Sequence, residues 1–130
     1  MSLTSDLTTG IAALVPTDTA PVYAGFGPFE RARNYYQVIP TGGPGVPQAV
    51  AGELRDSNFQ LNRCADGGSQ ADAVTYMEAL YALLNQRTGW TVGDYVVELC
   101  ECLQEPFLRA ATQPGQVFIT FNIRVWARKP

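Results

Sequence analysis

The sequence predicts an α+β fold, in which a mixed and mainly antiparallel β-sheet carries helices packed on one face. Residues 3–15 and 70–84 repeat apolar side chains at helical spacing, and several other segments alternate apolar and polar side chains as strands do. The strands flanking the second helix could form a crossover, whereas the last two strands are typical of an antiparallel pair. The 130 residues have the length of one domain, and we expect a single one over residues 1–130.

The composition favours a packed domain that contacts other proteins. Hydrophobic residues make up 46% of the chain and charged residues only 16%, whereas an isolated monomer of this size usually carries more surface charge. We therefore expect part of the surface to be covered by protein. The formal net charge is −3, and no run of Lys or Arg could follow a phosphate backbone, so direct nucleic-acid binding is not expected.

Short apolar patterns predict the N-terminal elements. Residues 3–15 are predicted to form an amphipathic helix, because an apolar side chain recurs every three to four positions and Pro16 follows as a stop. Residues 21–24 are predicted to form a short strand. Residues 35–40 are predicted to form a second short strand, because Pro40 has no backbone N–H to donate to a neighbour.

The stretch over residues 41–52 has no usable period and contains four Gly and two Pro. Such a composition is typical of a surface loop, or of an arm that becomes ordered only against a partner. Both interpretations remain open from the sequence. The candidate arm or axial loop consists of Gly42, Gly43, Pro44, Gly45, Val46 and Pro47.

The middle of the chain has a strand–turn–helix pattern. Residues 53–64 alternate and predict a half-buried strand, and residues 65–68 predict a turn. Residues 69–72, Ser-Gln-Ala-Asp, then resemble a capping box with a carboxylate in the first helical turn. The helix that follows has the most regular apolar pattern in the chain. Its apolar positions are Ala73, Val74, Met77, Leu80, Tyr81 and Leu84.

The next part of the chain is predicted to be a strand followed by a long loop. Residues 95–103 form the apolar strand, and the loop over residues 105–116 contains two Pro and a Pro-Gly turn. Phe107, Leu108 and Arg109 fall on this loop, where an apolar pair beside an arginine has the composition of an assembly contact. The alternative is a loop tucked onto its own core.

The segment QVFITFNIRVWARKP, residues 116–130, predicts the most regular strand of the chain. Its apolar face is formed by Val117, Ile119, Phe121, Ile123 and Val125. Its other face is formed by Phe118, Thr120, Asn122, Arg124 and Trp126. This second set is too mixed and too aromatic for a plain solvated surface, so we expect the strand to pack the domain with one face and to meet a neighbouring protein with the other. Arg124 and Trp126 therefore join Phe107, Leu108 and Arg109 as the candidate assembly interface.

The sequence contains few groups suited to catalysis. Histidine is absent, which removes the usual triads, most zinc sites and the commonest general base. Glu98 and Glu101 are the closest carboxylates on one predicted strand, but they lie three residues apart and so face opposite sides. The glycine-rich stretches lack the strand–loop–helix context of a nucleotide loop. We therefore expect no enzyme, no catalytic or metal-binding residues and no cofactor.

The three cysteines are expected to be reduced. Their odd number, and a start of the chain without the features of a secretion signal, predict an intracellular protein. Cys100 and Cys102 would share one face of a strand, where small buried side chains are expected. No segment approaches ~18 consecutive apolar residues, so no membrane-spanning helix is expected.

Residues 58–85, NFQLNRCADGGSQADAVTYMEALYALLN, resemble the strand–turn–helix unit of the tail terminators of tailed phages and of related minor capsid and tail-completion proteins. Arg63 matches the arginine that is frequent in the family's strand. Residues 105–130 resemble the family's ending, a long alternating strand with an asparagine near its middle, which Asn122 matches. The chain departs from the family at residues 111–115, where ATQPG replaces the common D-x-x-G-R.

The resemblance implies a structural protein of a long-tailed phage virion. Such proteins commonly form a homo-oligomeric ring, often a hexamer, that caps the tail tube, ends its polymerisation and provides the surface for head–tail joining. The implied partners are further copies of the chain, the tail tube protein and a head-completion or connector protein. DNA would pass through the ring without direct binding, and no membrane is involved. The implied location is the tail or neck of the virion, assembled in the cytoplasm of the host bacterium.

Two alternatives remain at this point. The first stays within virion assembly, as a head-completion protein, a connector stopper or a minor capsid protein of the neck. The second is a small cytoplasmic ligand-binding domain or enzyme. A pocket lined by convergent polar groups would favour the second alternative, whereas a flat subunit interface burying Phe107 and Trp126 would oppose it.

Overall fold

The computed structural model describes residues 3–15, 20–24, 34–42, 54–66, 68, 70–110 and 114–128. The described residues contain two helices and a seven-stranded sheet, which confirms the predicted α+β fold. In chain order the elements are α1 (Leu3–Leu14), β1 (Val22–Ala24), β2 (Tyr35–Gly42), β3 (Leu54–Asp66), α2 (Gln70–Leu84), β4 (Trp90–Val92), β5 (Tyr95–Cys102), β6 (Phe107–Ala110) and β7 (Gln116–Arg128).

All seven strands belong to one mixed sheet. Their order is β1-β2-β3-β7-β5-β4, and β6 pairs with β7 outside this path. β1 and β2 are parallel, and every other pair is antiparallel. β3 and β5 therefore run in the same direction with β7 between them. The segment from β3 through α2 to β5 is the crossover that the sequence allowed, and β5 and β7 are the predicted antiparallel pair.

The centre of the sheet is the pair formed by β3 and β7. Each strand has 13 residues, and they pair without a shift from Leu54 opposite Arg128 to Asp66 opposite Gln116. β7 is also paired on its other edge, by β5 and β6. β7 therefore has a paired strand on each of its edges. A strand inside a sheet favours side chains that pack against the residues beside them, and the regular alternation of β7 fits that position.

Both helices pack on one face of the sheet, called here the helix face. The Tyr81 ring of α2 meets the Phe121 ring of β7 edge-on, with 5.7 Å between the ring centres. Gly10 of α1 lies directly against Val92 of β4. Burying each large apolar side chain in this layer contributes roughly 1.5–3 kcal/mol. The fully buried large side chains include Leu7, Ile11, Phe59, Leu61, Met77, Leu80, Leu84, Ile119, Phe121 and Ile123.

β5 and β6 lie end to end along the same edge of β7. Cys102 pairs with Ile123 and Phe107 pairs with Thr120. The chain therefore advances five residues from β5 to β6 while β7 advances only three. Residues 103–106 therefore bulge outward. The backbone N–H of Leu103 donates to the carbonyl of Asn122 (2.8 Å), and the N–H of Asn122 donates to the side chain of Gln104 (3.0 Å). These two hydrogen bonds hold the bulge against β7.

Several boundaries differ from the sequence prediction. Phe107–Ala110 is strand β6 and not part of a loop, because its backbone completes the edge of β7. Trp90–Val92 forms β4, a strand too short for a periodic pattern to reveal. β3 continues to Asp66, so the start of the predicted turn belongs to the strand. β2 continues beyond Pro40 to Gly42, and a register shift there accommodates the proline.

The predicted half-burial of β3 holds for residues 56–60, where buried and partly exposed side chains alternate, but not for residues 61–65, which are all buried. Asn62 and Cys64 are buried on one side of the strand, and Arg63 and Ala65 are buried on the other. A polar side chain can be buried on such a strand only when hydrogen bonds replace its contacts with water. Neither described helix is long and apolar enough to cross a bilayer.

Candidate assembly interface

The face of the sheet opposite the helices, called here the second face, carries the mixed side chains of β7. Thr120 is completely buried on this face, and Arg124 and Trp126 are half-buried. The two described helices both lie on the other side of the sheet. This partial burial agrees with the expectation that the second face is not a plain solvated surface.

A network called here the polar belt crosses four strands of the second face. Its centre is Asn62, which is buried in β3. The Asn62 side-chain carbonyl accepts hydrogen bonds from Thr120 Oγ1 (2.7 Å) and Arg109 Nη2 (3.3 Å). The Asn62 amide nitrogen donates to Gln60 (3.1 Å) and Gln37 (3.4 Å). Every hydrogen-bonding group of this amide therefore has a partner, so the belt can rigidify the second face.

Arg109 is held by the polar belt and by an aromatic ring. Its Nε donates to Thr120 Oγ1 (3.0 Å), and its guanidinium carbon lies 4.6 Å from the centre of the Phe118 ring. The Phe118 ring meets Tyr35 edge-on at 6.4 Å, and Tyr35 meets Tyr23 at 6.0 Å. An aromatic row therefore extends from β1 to the arginine on β6.

Arg124 and Trp126 form a second cluster farther along β7. The guanidinium of Arg124 lies 4.2 Å from the centre of the Trp126 ring and donates two hydrogen bonds to Oδ2 of Asp56, at 2.7 and 3.1 Å. The Asp56 side chain is fully buried, while the Arg124 side chain keeps part of its surface in water. Removing Arg124 would leave a buried carboxylate without its partner charge, so the arginine has a structural role as well as an exposed edge.

The predicted interface residues fall into two groups. Phe107 and Arg109 lie on the second face beside residues 118–120, whereas Leu108 projects on the helix side because it pairs with Ile119. Arg124 is four residues along β7 from the partner of Phe107, roughly 13 Å away at the usual strand rise. The structure therefore does not gather the five residues into one compact patch.

The candidate arm is described at its first residue only. Gly42 is exposed at the end of β2, and residues 43–47 lie outside the described part of the chain. The role of this segment stays a prediction.

Three large apolar side chains are exposed along the outer edge of the sheet. Leu103, Phe107 and Leu108 are 50%, 42% and 51% exposed, and residues 103–110 are called here the β6 edge. Among the described residues, no strand pairs with its outer side. The neighbouring part of β5 is covered, since the N–H of Cys100 donates to Arg87 O (2.8 Å) and that of Cys102 donates to Asn85 Oδ1 (3.4 Å).

Sequence reasoning missed Leu103 and Asn62. Leu103 was assigned to the end of an apolar strand, and its side chain is exposed although its backbone N–H still donates to the carbonyl of Asn122. Asn62 alternated with apolar residues like a solvated polar side chain, and its burial depends on β2, β6 and β7 lying alongside. No local pattern distinguishes such an asparagine from an exposed one. A buried polar network depends on strand register, which the sequence pattern did not provide.

The thiols of β5 are inert small side chains in this structure. Cys64, Cys100 and Cys102 are free. Cys100 and Cys102 share one face of β5 as predicted, and on this helix face Cys100 is buried and Cys102 half-buried. Burial raises the pKa of the Cys100 thiol and of the Cys102 thiol to about 12, so both stay protonated at neutral pH. In the described ranges, no three His, Cys, Asp or Glu side chains are grouped to hold a metal ion.

The fold and the β6 edge together define a class: a small two-layer α+β domain in which, among the described strands, β6 leaves its outer edge unpaired. A chain in the solved virion of a native gene transfer agent (GTA) particle has a similar structure, with a TM-score of 0.69 and 16% sequence identity. The match covers 98% of this chain and 95% of that chain, so the two share one fold over nearly their whole lengths. No protein-family model and no curated protein matches the sequence.

Proposed function

We propose that this chain is a structural protein of a phage-like virion. Its specific role is that of a tail terminator, which forms a hexameric ring, caps the tail tube, ends polymerisation and provides the head–tail joining surface. The fold likeness to a chain of a gene transfer agent virion supports the general role. The strand–turn–helix unit and the closing strand support the specific one, since both resemble tail terminators. The protein is a non-enzymatic component of the tail or neck.

The β6 edge is the observation that carries this proposal. An open strand edge is a template for pairing with another chain, and exposed apolar side chains beside the edge favour such pairing. Here three large exposed apolar side chains surround the edge. In an assembly, a neighbouring protein would cover these side chains and use the free backbone groups. The low charge content of the chain agrees with such coverage.

The opposite end of the sheet makes a ring geometrically reasonable. β1 is the strand at the other end of the pairing order and carries the exposed side chain of Val22. A contact between two different surfaces of identical subunits is head-to-tail, and head-to-tail contacts close into rings when the rotation allows. Contact between the β6 edge of one copy and the β1 end of the next would extend the sheet around such a ring.

Capping requires no chemistry beyond shape and adhesion. A tail tube grows because each ring presents surfaces that match the next ring. A terminator matches the tube on one side and presents a different surface on the other, so that no further tube protein can add. The second face, stiffened by the polar belt, and the two arginine clusters supply surfaces of different composition for these two contacts.

A head-completion protein, connector stopper or minor capsid protein of the neck is the second candidate function. The fold likeness is to a chain of a whole virion, so it supports this alternative as well. The two candidates differ in where the ring binds. A tail terminator binds the ends of tail tubes, whereas a neck protein binds the connector or portal.

The test combines sedimentation with electron microscopy of the purified protein mixed with tail tubes. We expect six-fold rings that bind tube ends. Leu108→Lys places a charge at the β6 edge and should abolish rings, while the far-UV circular dichroism spectrum stays that of the wild type because the domain itself remains folded. The matched control is Leu83→Lys, which alters an exposed leucine of α2 away from this edge and should still form rings.

Either of two outcomes would contradict the proposal. The first is a wild-type protein that stays monomeric at its highest soluble concentration and does not bind tubes. The second is a Leu108→Lys variant that assembles as well as the wild type. Rings that bind connectors and ignore tube ends would replace the terminator role with the neck role.

A further inference from the structure

A cleft between α1 and β4 lies apart from the candidate assembly interface. It has a volume of about 350 Å³, and its walls include Asp6, Thr9 and Ala13 of α1 together with Trp90 and Gly93. Ala13 and Trp90 contribute apolar surface, and among the described lining residues Asp6 is the only one with a charged side chain. Such a cleft, apolar with one charge, differs from the polar networks of the second face.

The carboxylate of Asp6 is buried with unused acceptor capacity. Asp6 is only 7% exposed, and its Oδ2 is fully buried without a hydrogen-bond partner. Leaving a buried charged acceptor unpaired is unfavourable, so a donor that reached the cleft would gain a strong interaction. Asp6 lies in the first turn of α1.

Two glycines fix the walls of the cleft at close range. Gly93 has φ = +55°, and a Cβ atom there would lie 2.6 Å from Oδ2 of Asp6, so only glycine lets the β4–β5 turn rest against the carboxylate. Gly10 allows α1 to lie directly on Val92. Close backbone approach at these two glycines therefore helps to shape the cleft.

We propose that the α1–β4 cleft binds an arginine or lysine side chain of a partner protein. The cationic group would pair with Asp6, and the aliphatic stem would lie along Ala13 and Trp90. A bare metal ion fits poorly, since Mg²⁺ and Ca²⁺ require several oxygen ligands and the cleft offers one carboxylate beside threonine hydroxyls. The net charge of −3 also favours approach of a basic protein surface. The inference does not depend on the tail-terminator role.

The test is an NMR titration with a short blocked peptide that carries one arginine between two leucines. We expect shifts of the backbone amides of Thr9, Ala13 and Gly93. The same peptide with citrulline, a neutral isostere of arginine, should bind at least about tenfold more weakly, because a charge-assisted hydrogen bond is lost. Asp6→Asn should give a similar loss with the arginine peptide.

Matched variants separate binding from folding. Asp72→Asn makes the same change of charge on the exposed first turn of α2 and should bind the arginine peptide like the wild type. Ala13→Phe fills the cleft from an exposed position while Asp6 stays intact, and it should also abolish binding. Three results would overturn the proposal. The citrulline peptide could bind as tightly as the arginine peptide, Asp6→Asn and Ala13→Phe could bind the arginine peptide as tightly as the wild type does, or the wild type could show no amide shifts. If agmatine bound as tightly as the peptide, the cleft would be a site for free small cations, and the proposal that a partner protein occupies it would be wrong.

Discussion

At the residue scale, Asn62 shows how one amide can organise a sheet face. Its oxygen accepts two hydrogen bonds and its nitrogen donates two, and the four partners lie on β2, β3, β6 and β7. Each bond alone contributes about 1 kcal/mol, but an unpaired member of a buried network costs more. The side chains of the belt thereby act as a unit that fixes Arg109 in place.

Replacing Thr120 by valine tests this unit at nearly constant volume. We expect Thr120→Val to lower the free energy of unfolding by about 1–3 kcal/mol, because Arg109 Nε and Asn62 Oδ1 each lose a buried partner. Chemical denaturation measures the change. Thr75→Val is the control, since Thr75 is exposed on α2 and its hydroxyl donates to the nearby carbonyl of Ala71. This substitution should change stability by less than about 0.5 kcal/mol. Equal small effects of both substitutions would contradict a cooperative belt.

The thiols of β5 make a second prediction at the residue scale. Burial raises the pKa of Cys100 and of Cys102 to about 12, and only the thiolate form reacts readily. We therefore expect iodoacetamide at pH 8 to modify both residues far more slowly in the native protein than after denaturation. Mass spectrometry of the alkylated peptides gives the rates. Native rates close to those of the unfolded chain would show that the thiols are accessible and ionised.

At the element scale, α1 is positioned by a close approach that its own sequence does not favour. Glycine within a helix costs roughly 1 kcal/mol relative to alanine. Gly10 is nevertheless in the middle of α1, because any Cβ there would collide with the side chain of Val92 on β4. The packing of helix on strand therefore outweighs local helix propensity at this position.

The change in stability caused by Gly10→Ala should depend in sign on the side chain at position 92. Gly10→Ala should destabilise the wild-type protein by about 1–3 kcal/mol, since overpacking outweighs the gain in helix propensity. In a Val92→Ala background the same substitution should be neutral or stabilise by up to about 1 kcal/mol. Thermal and urea unfolding of the four proteins measure this double-mutant cycle. Stabilisation by Gly10→Ala in the wild type would show that α1 and β4 are not in contact.

At the element scale, one edge of β7 is divided between two strands. β5 and β6 behave as one strand broken by the bulge of residues 103–106, which the backbone of Asn122 anchors. Leu103 at the start of this bulge, and Phe107 and Leu108 just after it, have exposed side chains.

At the scale of the whole molecule, the sheet separates two kinds of surface. The helix face holds the apolar core, whereas the second face holds hydrogen-bonded amides and arginine–aromatic contacts. The β6 edge lies between the two faces, because Phe107 projects on one and Leu108 on the other. This arrangement suits a subunit that keeps its own core closed while it offers an edge and a polar face to neighbouring proteins.

The stability of the whole molecule should fall at alkaline pH. Cys100 and Cys102 ionise at pKa 9.0 in an unfolded chain, and folding raises the pKa of each to about 12, chiefly through burial. The folded state thus binds more protons between these values, so the thiol contribution is complete below pH 9 and is lost as the pH rises towards 12. Cys100 alone contributes a slope of up to about 1.4 kcal/mol per pH unit.

Urea unfolding at several pH values between 8 and 11 measures this loss. Cys100→Ala serves as the control, because it removes the buried thiol and should flatten the pH dependence even though the cavity lowers stability at every pH. Tyr35 adds to the same trend, since burial first and its hydrogen bond with Cys64 second raise its pKa to about 12. Stability that stays constant over this pH range would contradict the assignment of the thiols to the core.

The sequence by itself determined the α+β class, both helices and the central strands. Leu7 and Ile11 of α1, Met77 and Leu80 of α2, and the apolar face of β7 follow local periods, and each period reflects the need to bury one side of an element. Only the tertiary structure decided the polar belt, the split edge of β7 and the α1–β4 cleft. These features depend on which strands lie side by side and on how closely backbones approach. Contacts such as Asn62 with Thr120, or Asp6 with Gly93, join residues far apart in the chain, so no local pattern encodes them.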